Sequence, residues 1–529
     1  MKKKSVTKIL LSVMVLLVSV AFCACGSNKS TESSETGNSS SEKTTETAAD
    51  GTQSDAAASD TSCIVVGLTQ EISSLDPHED TDAGTRSVLF NVFEGLVKPT
   101  TDGDVTPAVA SDYTISDDAK TYTFTLRDGI TFQDGNPVTV EDIKYSLERS
   151  AEKDGESSAL SAISDITCVD DKTIQLTLSE ANSEFIYNLT IAVLEQANDA
   201  DQATNPIGTG PFKITNFAEG QYLEMAKYDG YWNKDLDYVQ SAKFKFISDA
   251  QAAFLELQGG SIDMLQYLTN DQVQALSDDY NIVESTMMLI HGLFLNNTYE
   301  PLKDVRVRQA LNYAVDRDAI NEFLFGGKSK IIQTHGYPTI TAWYNADTEG
   351  TYTYDVEKAK ELLTEAGYAD GFDLEITVPS SYTQHVQTAE IIAEQLAAVG
   401  VNVTINQVEW SSWLSDVYQG RDYQSTIIGF DISSLSPATW YKRYYTESSN
   451  DFTNFSDADY DAKYDQALAT IDHDEKHQLY GELQQILTDQ AASVFIEDPA
   501  DFIAINKKFT GYMSYPVSAI DLSLVKPAQ

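Results

Sequence analysis

Positive charge is scarce in this sequence. Thirty-five lysines and arginines stand against 81 aspartates and glutamates, and the formal net charge is −46. A chain this acidic does not hold a phosphate backbone electrostatically, which excludes nucleic acid as a partner. Cysteine is scarce too. Of four, Cys23 and Cys25 lie close to the start, leaving Cys63 and Cys168, whose pairing nothing in the sequence demands. Catalytic motifs are also missing: there is no Gly-x-Ser-x-Gly elbow and no His-Glu-x-x-His. His473 and His477 lie one helical turn apart at an acidic helix start, which is not a metal-ligand motif. Gly326-Gly327-Lys328-Ser329 imitates the tail of a nucleotide loop, but the first glycine of that loop would fall at Glu322. Nothing here calls for a cofactor.

Only one long apolar run exists, Ile9 to Phe22, and it is short for a membrane span. Lys2, Lys3, Lys4 and Lys8 precede it, as in a secretory leader. The run ends in Phe22-Cys23-Ala24-Cys25-Gly26-Ser27. Small Ala24 before Cys25 and Gly26 after it resemble a bacterial lipoprotein cleavage site, so residues 1–24 are expected to be removed and Cys25 lipidated. Residues 25–61 then carry Ser, Thr, Glu, Gly, Ala and Asp with hardly an apolar side chain, a composition that cannot offset chain entropy by burial. Such a tether reaches roughly 30–35 Å.

The most informative stretch is Thr121 to Arg149. Tyr122, Phe124 and Leu126 alternate with threonines, predicting a strand with one apolar face. Arg127-Asp128-Gly129 turns the chain, Ile130 and Phe132 resume the alternation as a short strand, and Asp134-Gly135-Asn136-Pro137 turns it again. Thr139 with Asp142 then forms a capping box for a helix that buries Ile143 and Leu147. Elsewhere Ile64 to Leu68 predicts a buried strand, and Val88, Val92 and Leu96 a helix. Asp304 can cap a helix whose apolar stripe is Val307, Leu311, Ala314 and Val315; its Arg306 and Arg308 read as solvated or ion-paired. Two helix–glycine–strand units follow, ending at Gly367 and Gly400 and leading into Leu374–Val378 and Val401–Ile405. Ser493–Ile496 and Phe502–Ile505 read as strands.

Leu126-Arg127-x-Gly129, Phe132-x-Asp134-Gly135-x-Pro137, Asp142 and Tyr145-Ser146 together resemble the signature of the family 5 extracellular solute-binding proteins, the dipeptide, oligopeptide and nickel receptors of ABC importers. Leu75-Asp76-Pro77, Phe93-Glu94-Gly95-Leu96 and Gly208-Thr209-Gly210-Pro211-Phe212 fit the same pattern. As physics these residues are scaffold: turn glycines, a fixed-φ proline, a cap and a core. The resemblance implies an α/β, two-lobed periplasmic-binding-protein-like fold with an extra subdomain on lobe one. Residues 62–95, 205–289 and 495–529 would form the lobe I core, 96–204 the extra subdomain and 290–494 lobe II. It further implies a monomeric receptor on the outer side of the cell membrane, held by its lipid, that hands a peptide to a permease.

The ligand region implied is Trp410 to Tyr445, where Trp410, Trp413 and Trp440 either enclose a ligand or belong to the core. In the family's peptide receptors an Asp four residues before the proline matching Pro437 holds the ligand's amino group; here that position is Ser433, and the nearby acid is Asp431, beside Phe430. Asp431 either anchors the amino group or caps a turn. Dipeptide receptors also carry an Arg after the strand matching Ile376–Val378, whereas Pro379 to Gln387 offers Tyr382 and His385 but no Arg. Leu75 is expected at the cleft from the opposite lobe. The same receptor fold binding a non-peptide solute such as an oligosaccharide is the alternative; a surface hydrolase would lack any nucleophile–base motif.

Mass spectrometry of the mature protein tests the leader assignment. A lipid-modified N-terminus at Cys25, and release from the membrane in Cys25→Ser, are expected; an unmodified N-terminus elsewhere would contradict it.

Overall fold

The computed structural model describes residues 61–529 apart from 73, 80–81, 154–159, 433, 450 and 529. The leader, Cys25, the tether and Ser433 therefore lie outside the described residues. Within the compact unit Ser59–Gln529 the chain builds two large sheets. The first has seven strands in the order Tyr280–Thr286, Ala500–Asn506, Met264–Leu268, Cys63–Leu68, Ser241–Phe246, Tyr222–Lys227 and Phe212–Ala218. Cys63–Leu68 lies at its centre, parallel to both neighbours, and Ile64, Val66 and Leu68 are buried.

The second sheet has six strands, ordered Lys330–Ile331, Ser493–Asp498, Leu289–Leu295, Ser425–Asp431, Phe372–Pro379 and Val401–Val408. The last three are parallel. Helices Val356–Glu365 and Thr383–Ala397 supply the two crossover units, and Gly367 and Gly400 sit at φ 91° and 86°, a region that glycine enters without strain. The second of these helices starts at Thr383. His385, Thr388, Ala389, Ile392 and Leu396 are its buried residues.

A four-stranded antiparallel sheet, Ala110–Ile115, Thr121–Leu126, Thr173–Leu178 and Ile163–Asp170, is inserted between strands of the first. Tyr122, Phe124 and Leu126 face inward as the alternation requires. The capping box forms: Asp142 N–H donates to Thr139 Oγ1 at 3.2 Å, and Thr139 N–H to Asp142 Oδ2 at 3.0 Å. Such a cap stabilises a helix by about 1 kcal/mol. Helix Val140–Glu152 buries Ile143 and Leu147 behind it. Ile130 and Phe132 are buried without forming a strand; the turn closes through a single bridge, Thr131 to Pro137.

The expected helix over Val88 to Leu96 stops at Leu89. The reason lies in its carbonyls. Gly210 N–H donates to Val92 O at 2.9 Å and Phe212 N–H to Asn91 O at 2.9 Å, so these acceptors serve another segment. Added Cβ atoms at Gly208 and Gly210 would sit 2.0 Å and 2.7 Å from those carbonyl oxygens, so the Gly-Thr-Gly motif permits a close backbone approach. Gln133 completes the junction by donating to Val92 O and Phe212 O at 2.9 and 2.6 Å.

One boundary moves, and one arginine is more buried than expected. The chain leaves the second sheet after Asp498, so the return to the first sheet falls at Pro499 instead of residue 495. Cys63 and Cys168 are both free, on different sheets. Arg306 pairs with Asp304 at 2.5 Å, and Arg308 is buried with its guanidinium on the carbonyls of Leu302, Lys303 and Gln490.

Candidate functional site

In open α/β sheets, ligands meet the carboxyl ends of parallel strands. One strand end in each large sheet leads into a shared space. Past Leu68, the loop to Pro77 and helix Ala83–Leu89 form one wall; past Asp431, Ser434 and Leu435 form part of the other. The cavity between them has a volume of about 620 Å³. Lys98, Glu94, Tyr187 and the segment Val517–Ser523 complete its lining.

Each polar wall residue is held in place. Glu94 is buried and accepts from Tyr231 Oη and Trp232 Nε1, both at 2.7 Å, with Lys98 Nζ 3.4 Å away. Tyr187 Oη donates to Asp104 at 3.1 Å. Behind Pro77, buried Asp76 accepts two bonds from Arg149, at 3.0 and 2.5 Å. Burial alone would raise its pKa, but Arg149 and the His78 amide hold the carboxyl below the ordinary range. On the opposite wall, Ser436 Oγ donates to buried Glu184 at 3.1 Å, which pairs with Lys476 at 3.0 Å. That contact fixes the Ser434–Ser436 segment against the inserted subdomain.

At Ser434 and Leu435 the cavity adjoins a second, smaller pocket of about 50 Å³. Tyr337, Trp343 and Trp440 wall it, with Asp431 and Arg443.

The residues singled out from sequence divide into three groups. Asp431 and Trp440 line the smaller pocket, and Phe430 packs behind it with the Arg443 guanidinium 4.3 Å from its ring. Asp431 is exposed at the end of Ser425–Asp431, opposite Leu289. Tyr382, His385, Trp410 and Trp413 form a separate aromatic array that lines neither space. There Trp410 stacks on Trp413 at 5.2 Å and 7°, Tyr382 lies 5.5 Å from Trp410, and Trp413 donates to Thr426 at 2.9 Å. Leu75 is 1% exposed in the core around Ile64 and Val66, so its side chain does not face the cleft, although Pro77 does.

Tyr337, Trp343, Arg443, Glu94 and Lys98 were not expected as site residues. Glu94 and Lys98 stand within and just after the Phe-Glu-Gly-Leu motif, where an acid and a base four apart could have drawn notice. Trp343 and Tyr337 lie in an irregular stretch with no periodicity to place them.

His385 leads to a buried relay. Its Nδ1 lies 3.1 Å from His291 Nε2, and His291 Nδ1 is 3.5 Å from Glu497 Oε1. Burial lowers the pKa of His291 to about 4 and that of His385 to about 3, so both rings are neutral at neutral pH. Burial raises that of Glu497 to about 7.

A model of the family described as bacterial extracellular solute-binding proteins, family 5 Middle, matches residues 104–452. The dipeptide-binding protein of Escherichia coli (strain K12) is 27% identical over 456 residues, covering 78% of this chain and 84% of that protein. The glutathione-binding protein of Salmonella typhimurium (strain LT2) is 28% identical over 474 residues, covering 86% and 92%. Among solved structures, the unliganded open form of a periplasmic murein tripeptide binding protein matches with a TM-score of 0.82 at 22% identity, covering 88% of this chain and 98% of that one.

The relay makes stability depend on pH. Folding raises the Glu497 pKa from 4.5 to about 7, so the folded state binds the proton more tightly. Its contribution is full below pH 4.5 and is lost as pH rises through about 7. Glu497→Gln should therefore gain about 2–3 kcal/mol relative to wild type between pH 5 and pH 8. Urea unfolding at the two pH values measures this; an unchanged difference would mean that the carboxyl is ionised throughout.

Proposed function

The chain belongs to the bacterial extracellular solute-binding proteins of family 5, and on that premise we propose that it captures short or medium peptides in the cleft and delivers them to a membrane permease. The observation that carries this reading is the cavity of about 620 Å³ between the segments that follow Cys63–Leu68 and Ser425–Asp431, with Asp431 lining the adjoining pocket. The relatives named for a dipeptide and for glutathione support a peptide ligand. Backbone amides of an extended peptide would bond to the protein as an added strand does, leaving side chains in tolerant pockets. Micromolar affinity, about −8 kcal/mol, suffices for capture and permits release. Anchoring through lipid on Cys25 would hold the receptor at the outer membrane surface, and among the described residues no helix is long and apolar enough to span a membrane.

Asp431 is the proposed anchor for the peptide's amino group. An ammonium moved from water into a closing cleft is costly unless a carboxylate meets it. The adjoining residues Phe430 and Trp440 supply an apolar surround that strengthens such a pair.

Calorimetry with trialanine and N-acetyl-trialanine tests the anchor. Wild type should lose roughly 2–5 kcal/mol on acetylation, and Asp431→Asn should lose a similar amount with free trialanine while becoming insensitive to acetylation. Equal effects of acetylation on both proteins would place the amino group elsewhere.

A further inference from the structure

The smaller pocket of about 50 Å³ carries more hydrogen-bond donors than its own walls use. Tyr337, Trp343 and Trp440 are each at least nine-tenths buried, and among the described residues Tyr337 Oη, Trp343 Nε1 and Trp440 Nε1 have no hydrogen-bond partner. Buried donors of this kind cost stability while they are unpaired. The three rings pack tightly: Tyr337 and Trp440 meet edge to face at 5.2 Å, and Trp440 abuts Phe495 at 5.7 Å.

Arg443 adds a cation to the same wall. It is half-buried, its guanidinium lying 4.3 Å from the centre of Phe430 and 5.9 Å from that of Trp440. Its Nη1 donates to Tyr418 Oη at 3.3 Å, and among the described residues no carboxylate lies within 4.0 Å of it. The contrast with Arg149, which holds both oxygens of Asp76, or with Arg306 on Asp304, is direct. A cation and three neutral donors around a small space call for an acceptor-rich anion.

Resting on the peptide reading above, we propose that this pocket receives a carboxylate carried by the ligand's first residue, with Arg443 as its counter-charge and the Tyr337, Trp343 and Trp440 donors around it. Charge bookkeeping favours that choice over a dianion. Asp431 and Arg443 both line the pocket, so one negative and one positive protein group would face the ligand's ammonium and its single carboxylate. The closed site would then hold no net charge, which is the condition for burying ions at low cost. Size favours it too. A volume of about 50 Å³ admits a few water-sized groups, enough for a carboxymethyl. The favoured ligand class is a short peptide with a free amino group and an acidic first side chain.

The test compares Asp-Ala-Ala, Asn-Ala-Ala and trialanine by calorimetry, with tryptophan fluorescence as a second readout from Trp343 and Trp440. Wild type should bind the Asp peptide about tenfold more tightly than the Asn peptide. Arg443→Gln should erase that preference, weakening the Asp peptide about tenfold more than the Asn peptide. Trp440→Phe, which keeps an aromatic ring but removes one donor, should reduce the preference about threefold. Wild type binding the peptides without an Asp preference would overturn this inference and leave the peptide reading standing. Equal weakening of Asp and Asn peptides in Arg443→Gln would also overturn it, making Arg443 a prop for the wall. No binding of any of the three peptides would overturn both readings. The wild-type comparison needs no variant to fold.

Discussion

The two large sheets are joined by two strand-to-strand crossings, and both are tied to one carboxylate. The chain passes from the first sheet to the second between Thr286 and Leu289, and returns between Asp498 and Ala500. Asp498 stands at this junction with no solvent exposure. It accepts from Thr286 Oγ1 at 2.6 Å, from Leu289 N–H at 3.1 Å and from Thr339 Oγ1 at 2.9 Å. Met287 N–H closes the junction on Pro499 O at 2.8 Å. A carboxylate so buried costs stability unless it is satisfied, so these bonds come as a set. Burial still raises its pKa to about 6. Beside it Met288 holds φ at +58°, an uncommon conformation for a side chain of this size. A short, clamped double crossing with one strained residue is the kind of element that absorbs the backbone rotation of a hinge.

A hinge at this junction would let the two sheets move about the cleft. The inserted subdomain bonds to the first sheet through Gln133 and reaches the second half through Ser183 N–H on Leu468 O at 2.8 Å and through the Glu184–Lys476 pair. Its aromatic residues and those of the second half share one apolar cluster, Phe185 and Phe124 together with Phe430, Trp440 and Phe495. Removing one partner of a buried pair like Glu184–Lys476 typically costs 3–5 kcal/mol. The rim at Ser436 is therefore a firm edge, and the cavity opens beside it instead of through it.

Much of this was legible from residues whose role is geometric. The alternation of Tyr122, Phe124 and Leu126, the Thr139–Asp142 cap and the glycines at 367 and 400 act through short-range rules, and the structure places each where those rules put it. The early end of the Ala83–Leu89 helix was not legible, because its cause is a segment about 120 residues away that takes the Asn91 and Val92 carbonyls. The candidate site divided for the same reason. Asp431 is the acid nearest to Ser433, which stands at the fixed offset from Pro437, whereas Trp410 and Trp413 follow a strand whose end points to a neighbouring aromatic array. Leu75 belongs to a motif that positions Pro77 by burying its own side chain. Arg443, Tyr337 and Trp343 come together from distant, irregular stretches, and only the folded chain shows that they share a wall.

The central claim is that a peptide bound in the cavity of about 620 Å³ draws the two sheets together about the Asp498 junction. Small-angle scattering of the protein, alone and saturated with a peptide shown by calorimetry to bind, measures that directly. A smaller radius of gyration with ligand is the predicted result. An unchanged radius with a confirmed binder would contradict closure and leave the cavity as a static site.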